Sequence, residues 1–486
     1  MASNNSKPGE NLLLLFISLL VTVGLLVQIW AWLHPRLALQ AQTDRTLSSF
    51  PSPSEPLSSQ LSHRFSTGER QLIEAVTTLA KQEGIVAFAK RDYQKAANWF
   101  EESLRLIPND PETLVYLNNA RVRAMGTKSY AIATSIPIGK ALNVAQEILR
   151  GVAQAQDEIN RNGGIDGIGL EIEIVNDDND PTLTPQIAQV LGSDTNILAV
   201  IGHNTSDASL GAASIYQEWG MVMISPTTFD PAVSRVGNYI FRAVPTAQSM
   251  SAVLVKHVIE QLSQPARMLI CYDSAAPDNA VFRDAFVDTL IANGGEVVNV
   301  MDAQGNDRCN FASPTFSAEE AIAQAQAKGA NSLYLGPSIN YLDPAIAVAR
   351  ANAGRLPLFS SPSLYTQKIT QDGQQAVAGL VLVAPWNPGD YPTFARRAQG
   401  LWRATVNWRT ATAYDATRAI IDGLQQNQTR SGLQHALQNP AFSTAGSGEL
   451  IRFLDTRDRR LTSVLIQVRS DGSGGYHFVS LAPHDQ

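Results

Sequence analysis

YAIATSIPIGKALNVAQEILRGVAQAQDEINRNGGIDGIGLEIEIVNDDNDPTLTPQIAQVLGSDTNILAVIGHNTSDASLGAASIYQEWGMVMISPTTFDP, residues 130–231, alternates between two patterns. Nearly continuous apolar runs at 131–137, 170–175, 197–202 and 221–225 read as strands. Helical spacing fills 145–162, 184–192 and 209–220 between them. Short apolar strands joined by helices imply a parallel sheet covered on both faces. Ligands of such sheets collect beyond the carboxyl ends of the strands. Those ends carry Ser135, Asp177 and Asp178, His203 to Ser206, and Ser225 to Thr228. The grouping predicts a small polar ligand held by loops and helix starts.

Four motifs in this order carry a family resemblance: RGVAQAQDEINRNGGIDG (150–167), VNDDNDP (175–181), VIGHNTS (200–206) and GMVMISPTTFDP (220–231). Together they resemble the first lobe of type I periplasmic binding proteins, in the branch that binds branched-chain amino acids. The resemblance runs from about residue 129 to the C-terminus. It implies an α/β receptor of two lobes with parallel sheets and three hinge crossings, closing like a clamshell on a solute, without catalysis. Crossings are expected at 241–246, at 380–386 and where 446–453 returns to the second lobe. Lobe one then takes 129–243 and 387–447, and lobe two 246–383 and 450–486. The second lobe repeats the alternation, with strands at 268–272, 296–301 and 332–336. Its last strands, 464–468 and 476–479, flank an Asp/Gly-rich turn suited to a tight antiparallel connection.

The chain has 486 residues, a net charge of −7 and no basic stripe, so nothing points to nucleic acid. Two cysteines, Cys271 and Cys309, exclude a disulfide scaffold and a multi-cysteine zinc site. Cys271 reads as core filler in a strand; two separate thiols are favoured over a bond between neighbouring strands, which an extracytoplasmic compartment would permit. The uncharged run at 12–33, followed by Trp30 and Trp32 at its end, is long enough to cross a bilayer. Residues 1–40 are therefore expected to form a single-pass anchor in the cytoplasmic membrane, with the remainder periplasmic. Residues 41–67 form a Ser/Pro-rich linker. Residues 68–126 resemble one tetratricopeptide repeat, with Gly84, Ala96, Phe100, Ser103 and Pro108 at matching spacings, and read as a separate helical hairpin. One repeat cannot bury its own apolar face, so it is expected to dock on the receptor domain, ahead of the alternative of a partner-binding surface. No cofactor or metal is expected: the glycines at 163–169 lie in a helix-to-strand loop rather than the reverse, Asp177, Asp178 and Asp180 lack calcium-loop spacing, and His203 has no nucleophile motif beside it.

The resemblance also assigns a binding set. Ser206 at a helix start, with Thr227 and Thr228 after the next strand, would hold a ligand carboxylate through free N–H groups and hydroxyls. Phe229 stands where the family keeps a further hydroxyl. On lobe two, an aromatic position falls at Pro277, a tyrosine position at Ser338 with Tyr341 nearby, and the acid that pairs with an ammonium at Pro362 or Ser363. Losing that acid predicts a ligand without a required α-ammonium, unless Asp273 or Asp343 substitutes, because a buried ammonium without a counter-charge is costly. The expected partners are an amino acid or related solute and an ABC permease or signalling protein. The competing reading is a scaffold with a degenerate pocket that recruits a partner through its helical repeat.

Overall fold

The computed structural model describes residues 59–262 and 264–481. The expected anchor at 12–33 lies outside them. Among the described residues, no helix is long and apolar enough to cross a membrane.

Two sheets form the framework. The first contains β1 (Phe65–Ser66), β2 (Ser129–Ile136), β3 (Gly169–Asn176), β4 (Ile197–Ile201), β5 (Val222–Ser225) and β6 (Ile240–Arg242), in the spatial order β1-β3-β2-β4-β5-β6. The second contains β7 (Arg267–Tyr272), β8 (Glu296–Val298), β9 (Ser332–Gly336), β10 (Leu358–Ser360), β11 (Val381–Ala384), β12 (Val464–Ser470) and β13 (Tyr476–Ser480), ordered β13-β12-β11-β10-β9-β7-β8. The central strands run parallel and are buried, as their apolar runs require. Antiparallel strands close one edge of each sheet. β1 pairs antiparallel with β3, so the expected linker 41–67 ends inside lobe one rather than outside it. β12 runs antiparallel to β11 and to β13.

The chain leaves lobe one after β6 and returns after β11. The third crossing is later than 446–453. Those residues stay with lobe one, where Ser447 donates to the Asp415 carboxylate at 2.8 Å and Asp458 bridges to Arg242 beside β6. The Arg242 guanidinium lies 2.6 Å from Asp458, and Arg459 pairs with Asp415. Both ion pairs are buried and hold this return segment before β12 enters lobe two.

The helix Leu142–Arg161 packs against Trp408–Gln426, and Gly151 makes the approach possible. A Cβ at Gly151 would sit 2.2 Å from the Thr410 carbonyl oxygen and 2.5 Å from the Tyr414 nitrogen. Thr410 and Tyr414 then reach back, donating to the Glu147 carbonyl at 2.9 Å and to the Glu158 carboxylate at 2.7 Å.

Residues 79–124 form three helices, Leu79–Ala89, Tyr93–Leu106 and Pro111–Ala124. Gly84 sits over Phe100, which is fully buried. These helices are not a free-standing unit. The third is buried along nearly its whole length, and its Asn119 side chain bonds both the oxygen and the nitrogen of Ile172 in β3, at 2.8 and 3.0 Å. A buried ionic knot pins the first helix to the third: Lys81 Nζ is 2.9 Å from Asp110 and 2.7 Å from Glu112, while Tyr116 and the Leu72 amide donate to Glu112 at 2.9 and 2.6 Å. Burial opposes the Lys81 charge, but Glu112 and Asp110 outweigh it and hold its pKa above the usual lysine value.

Cys271 and Cys309 are bonded, with Cα atoms 4.6 Å apart, against the expectation of two thiols. The reason is a loop that adds to the end of β7. The Tyr272 amide donates to the Cys309 carbonyl at 3.0 Å, and the Phe311 amide to the Tyr272 carbonyl at 2.7 Å.

Candidate functional site

A cavity of about 690 Å³ lies between the carboxyl ends of the two sheets. This size suits a small solute.

Lobe one contributes a helix start and a loop knitted together. The helix Ser206–Glu218 is capped by Thr205, whose hydroxyl accepts from the Ala208 amide at 3.4 Å. The expectation placed Ser206 before a helix beginning near Ser209; instead Ser206 is the first helical residue. Ser206 is buried, with its Oγ 2.5 Å from the Thr228 hydroxyl. Thr227 donates to the Asn204 carbonyl at 2.7 Å, and Ser225 to the His203 carbonyl at 2.8 Å. Thr205, Thr227 and Thr228 line the cavity. Of the three residues expected on this wall, Thr227 and Thr228 line the cavity, while Ser206 lies behind it against Thr228. Phe229 also lines the cavity, and its ring packs on Trp408 (centroids 5.5 Å apart) and on Phe282 of lobe two (6.1 Å). The lost hydroxyl is replaced by an apolar contact between lobes.

Lobe two contributes Ser338 and Ser363, both on the cavity wall. Ser338 caps a short turn by accepting from the Asn340 amide at 3.3 Å, and Tyr341 follows on the same wall. The Ser363 hydroxyl is 2.7 Å from that of Ser361. Position 277, expected to be aromatic, opens the helix Pro277–Ala292. The two candidate substitute acids part company. Asp343 is exposed and ion-paired with Lys368 at 2.7 Å, away from the cavity. Asp273 is buried on the cavity wall, accepts from the Ala275 amide at 2.8 Å, and has no cation within 4 Å among the described residues.

The expected site residues did not include the wall formed by Trp408 and Arg409, which open the helix Trp408–Gln426. Asn407 was the available signal: its side chain caps this helix by accepting from the Arg409 amide at 2.9 Å. The Arg409 guanidinium stacks 4.4 Å from the Trp408 ring centre and has no carboxylate within 4 Å among the described residues. Desolvation pushes its pKa down to about 10, opposed by Glu147, so it stays cationic at neutral pH. Trp408 is 2 % exposed, and its Nε1–H has no acceptor among the described residues.

Catalytic arrangements do not assemble here. His203 pairs with Asp177 at 2.7 Å, but both are fully buried, and Ser135 donates to Asp177 rather than to the imidazole. Among the described residues, no cluster of three His, Cys, Asp or Glu side chains could hold a metal ion.

A family model described as periplasmic binding protein matches residues 139–475. The leucine-specific-binding protein of Salmonella typhimurium is 26% identical over 239 residues, covering 48% of this chain and 61% of that protein, so under two thirds of that relative is spanned. The amino acid binding protein of Pseudomonas aeruginosa is 23% identical over 369 residues, covering 73% of this chain and 94% of its own. The crystal structure of an ABC transporter substrate-binding protein from Desulfitobacterium hafniense in complex with Leu is similar in fold, at a TM-score of 0.60 and 23% identity, covering 72% of this chain and 100% of its own. These relatives are solute-binding proteins, not enzymes. With two parallel-centred sheets facing across a cleft and a family match over most of its length, the chain belongs to the periplasmic binding protein family.

Proposed function

We propose that this chain is a solute receptor that closes its two lobes over an amino acid or a related small carboxylate or amide, outside the cytoplasmic membrane. The observation that carries this reading is the cleft itself. On one side are a helix start at Ser206 and the hydroxyls of Thr227 and Thr228; on the other are Asp273, Ser338 and Ser363. A helix start with small hydroxyl residues suits a carboxylate, and the crossings after β6 and β11 are natural hinges for lobe closure. The apolar run at 12–33 is proposed as a membrane tether, and the helices of 79–124 as a surface through which a permease or signalling protein docks. A receptor of this kind serves ABC-type uptake or sensing.

The test is thermal unfolding of the purified full-length chain against a panel of amino acids, amides and organic acids. A ligand that binds only the native state raises the melting temperature. A concentration-dependent rise for at least one small carboxylate, lost in Ser206→Leu, is the expected result. No rise with any member of the panel overturns the reading and favours a scaffold with a degenerate pocket. Carbonate-resistant recovery of the full-length chain in membranes tests the tether separately.

A further inference from the structure

The cleft holds more positive donor capacity than one carboxylate needs. Arg409 is half-buried on the cavity wall, yet no carboxylate lies within 4 Å of its guanidinium among the described residues. Most buried or half-buried arginines elsewhere in the chain are matched: Arg242 to Asp458, Arg459 to Asp415, and Arg150 to Glu147. The neighbouring Trp408 adds a fully buried N–H that finds no acceptor among the described residues. Both come from the start of the Trp408–Gln426 helix and both line the same cavity. Taking a cation out of water without a counter-charge costs free energy, and so does burying a donor without an acceptor. The charge on Arg409 is favoured by stacking on Trp408 and by the attraction of Glu147, a carboxylate that Arg150 already pairs.

The other charged residues on the cavity do not relieve it. Asp207 lies in the first turn of the Ser206–Glu218 helix, where a negative charge is favoured by that helix's own dipole. Asp273 belongs to the lobe two wall, and neither acid is within ion-pair distance of Arg409. Lys140 adds a further cation at the cavity. None of the acids on the cavity pairs with Arg409 among the described residues.

We propose that the ligand carries a second anionic group, a distal carboxylate, which docks on the Arg409 guanidinium while the first carboxylate sits at the Ser206 helix start beside Thr227 and Thr228. This rests on the receptor reading above and narrows it from small carboxylates in general to dicarboxylates. Two sources share that chemistry, plain dicarboxylic acids and acidic amino acids, and they differ in the ammonium that Asp273 would meet.

The test is calorimetry on the purified full-length chain with length-matched pairs. One arm compares glutarate with pentanoate and adipate with hexanoate. The other compares glutamate with norvaline and 2-aminoadipate with norleucine. The dicarboxylate member of at least one pair should bind tenfold tighter or more. Arg409→Met, which keeps the stem on Trp408 and removes the charge, should weaken the dicarboxylate more than its monocarboxylate partner and so erase that preference. Arg409→Lys should keep part of it. The arm showing the larger preference names the source. Monocarboxylates binding as well as their dicarboxylate partners, or a preference that survives Arg409→Met, overturns this proposal and leaves the receptor reading standing. Failure of every acid to bind the wild-type chain overturns this proposal, and the receptor reading is then decided by the thermal-unfolding panel with its amides.

Discussion

Lys81 and Arg409 are both cations withdrawn from water, and their surroundings differ completely. Lys81 is fully buried and has Asp110 and Glu112 at 2.9 and 2.7 Å, with the remaining lone pairs of the acids taken by Tyr116 and backbone amides. Arg409 stands at a cavity, stacked on the ring of the preceding residue, with no carboxylate within 4 Å among the described residues. A charge whose partners are all internal is a fastening. One left open beside a cavity is held for a molecule that arrives later. The two sites should therefore respond oppositely to the same kind of substitution.

The largest effect is expected at the fastening. Lys81→Met leaves two buried carboxylates without their cation and should cost about 3–5 kcal/mol in denaturant unfolding, with ligand preference unchanged in whatever folded protein remains. If Lys81→Met costs under about 1 kcal/mol while Arg409→Met is severely destabilising, the contrast is wrong. Next is the carboxylate grip: Ser206→Leu places a branched side chain against Thr228 and should weaken binding at least about a hundredfold, or about 2.7 kcal/mol, measured by calorimetry. Asp273 should give a smaller, selective effect. Its burial on the cavity wall, with no cation within 4 Å among the described residues, favours the alternative in which Asp273 substitutes for the acid absent at Pro362 and Ser363. A free amino acid should bind about tenfold tighter than its deaminated analogue, and Asp273→Asn should remove the difference. Equal binding of the pair by the wild-type chain would return the site to the earlier expectation.

The smallest effect concerns another charge without an adjacent partner, Glu173 in β3. Burial chiefly, with Asp194 and Glu69 adding and Arg123 opposing, pushes its carboxyl up to about 7. A raised folded-state pKa means that the proton is held more tightly in the folded chain. The associated stability is fully present below the ordinary value of 4.5 and lost as pH rises through about 7. Unfolding midpoints should fall between about pH 5 and pH 7.5, and Glu173→Gln should flatten that fall. An unchanged slope in the variant would assign the loss to other groups.

The two walls of the cleft show why part of this was readable from sequence. Ser206, Thr227 and Thr228 stand at fixed offsets from apolar strands, so periodicity alone carries them to one sheet end. The helix boundary slipped because three consecutive residues, Asn204, Thr205 and Ser206, are all cap formers and no pattern ranks them. The lobe two residues sit in loops after β7, β9 and β10, whose paths are set by packing. Asp273 and Asp343 therefore looked equivalent until the fold separated them. Trp408 and Arg409 come from a chain segment more than 170 residues after Thr228, and the packing of their helix at Gly151, with the Thr410 and Tyr414 hydrogen bonds, brings them to the site. The disulfide was hidden for a similar reason: the 309–311 segment adds to β7 as irregular backbone, with no strand periodicity to announce it. The late third crossing depended on Asp458 and Arg459, whose buried partners Arg242 and Asp415 are distant in sequence.

The Gly151 contact has a consequence for synthesis. The face of Leu142–Arg161 that it marks is covered by Trp408–Gln426, which leaves the ribosome more than 240 residues later. Through the making of all of lobe two but its last strands, lobe one must wait with that face open. Vectorial folding from the N-terminus therefore cannot finish the first lobe before most of the second exists. Neither lobe can be released intact by cutting the chain at one place.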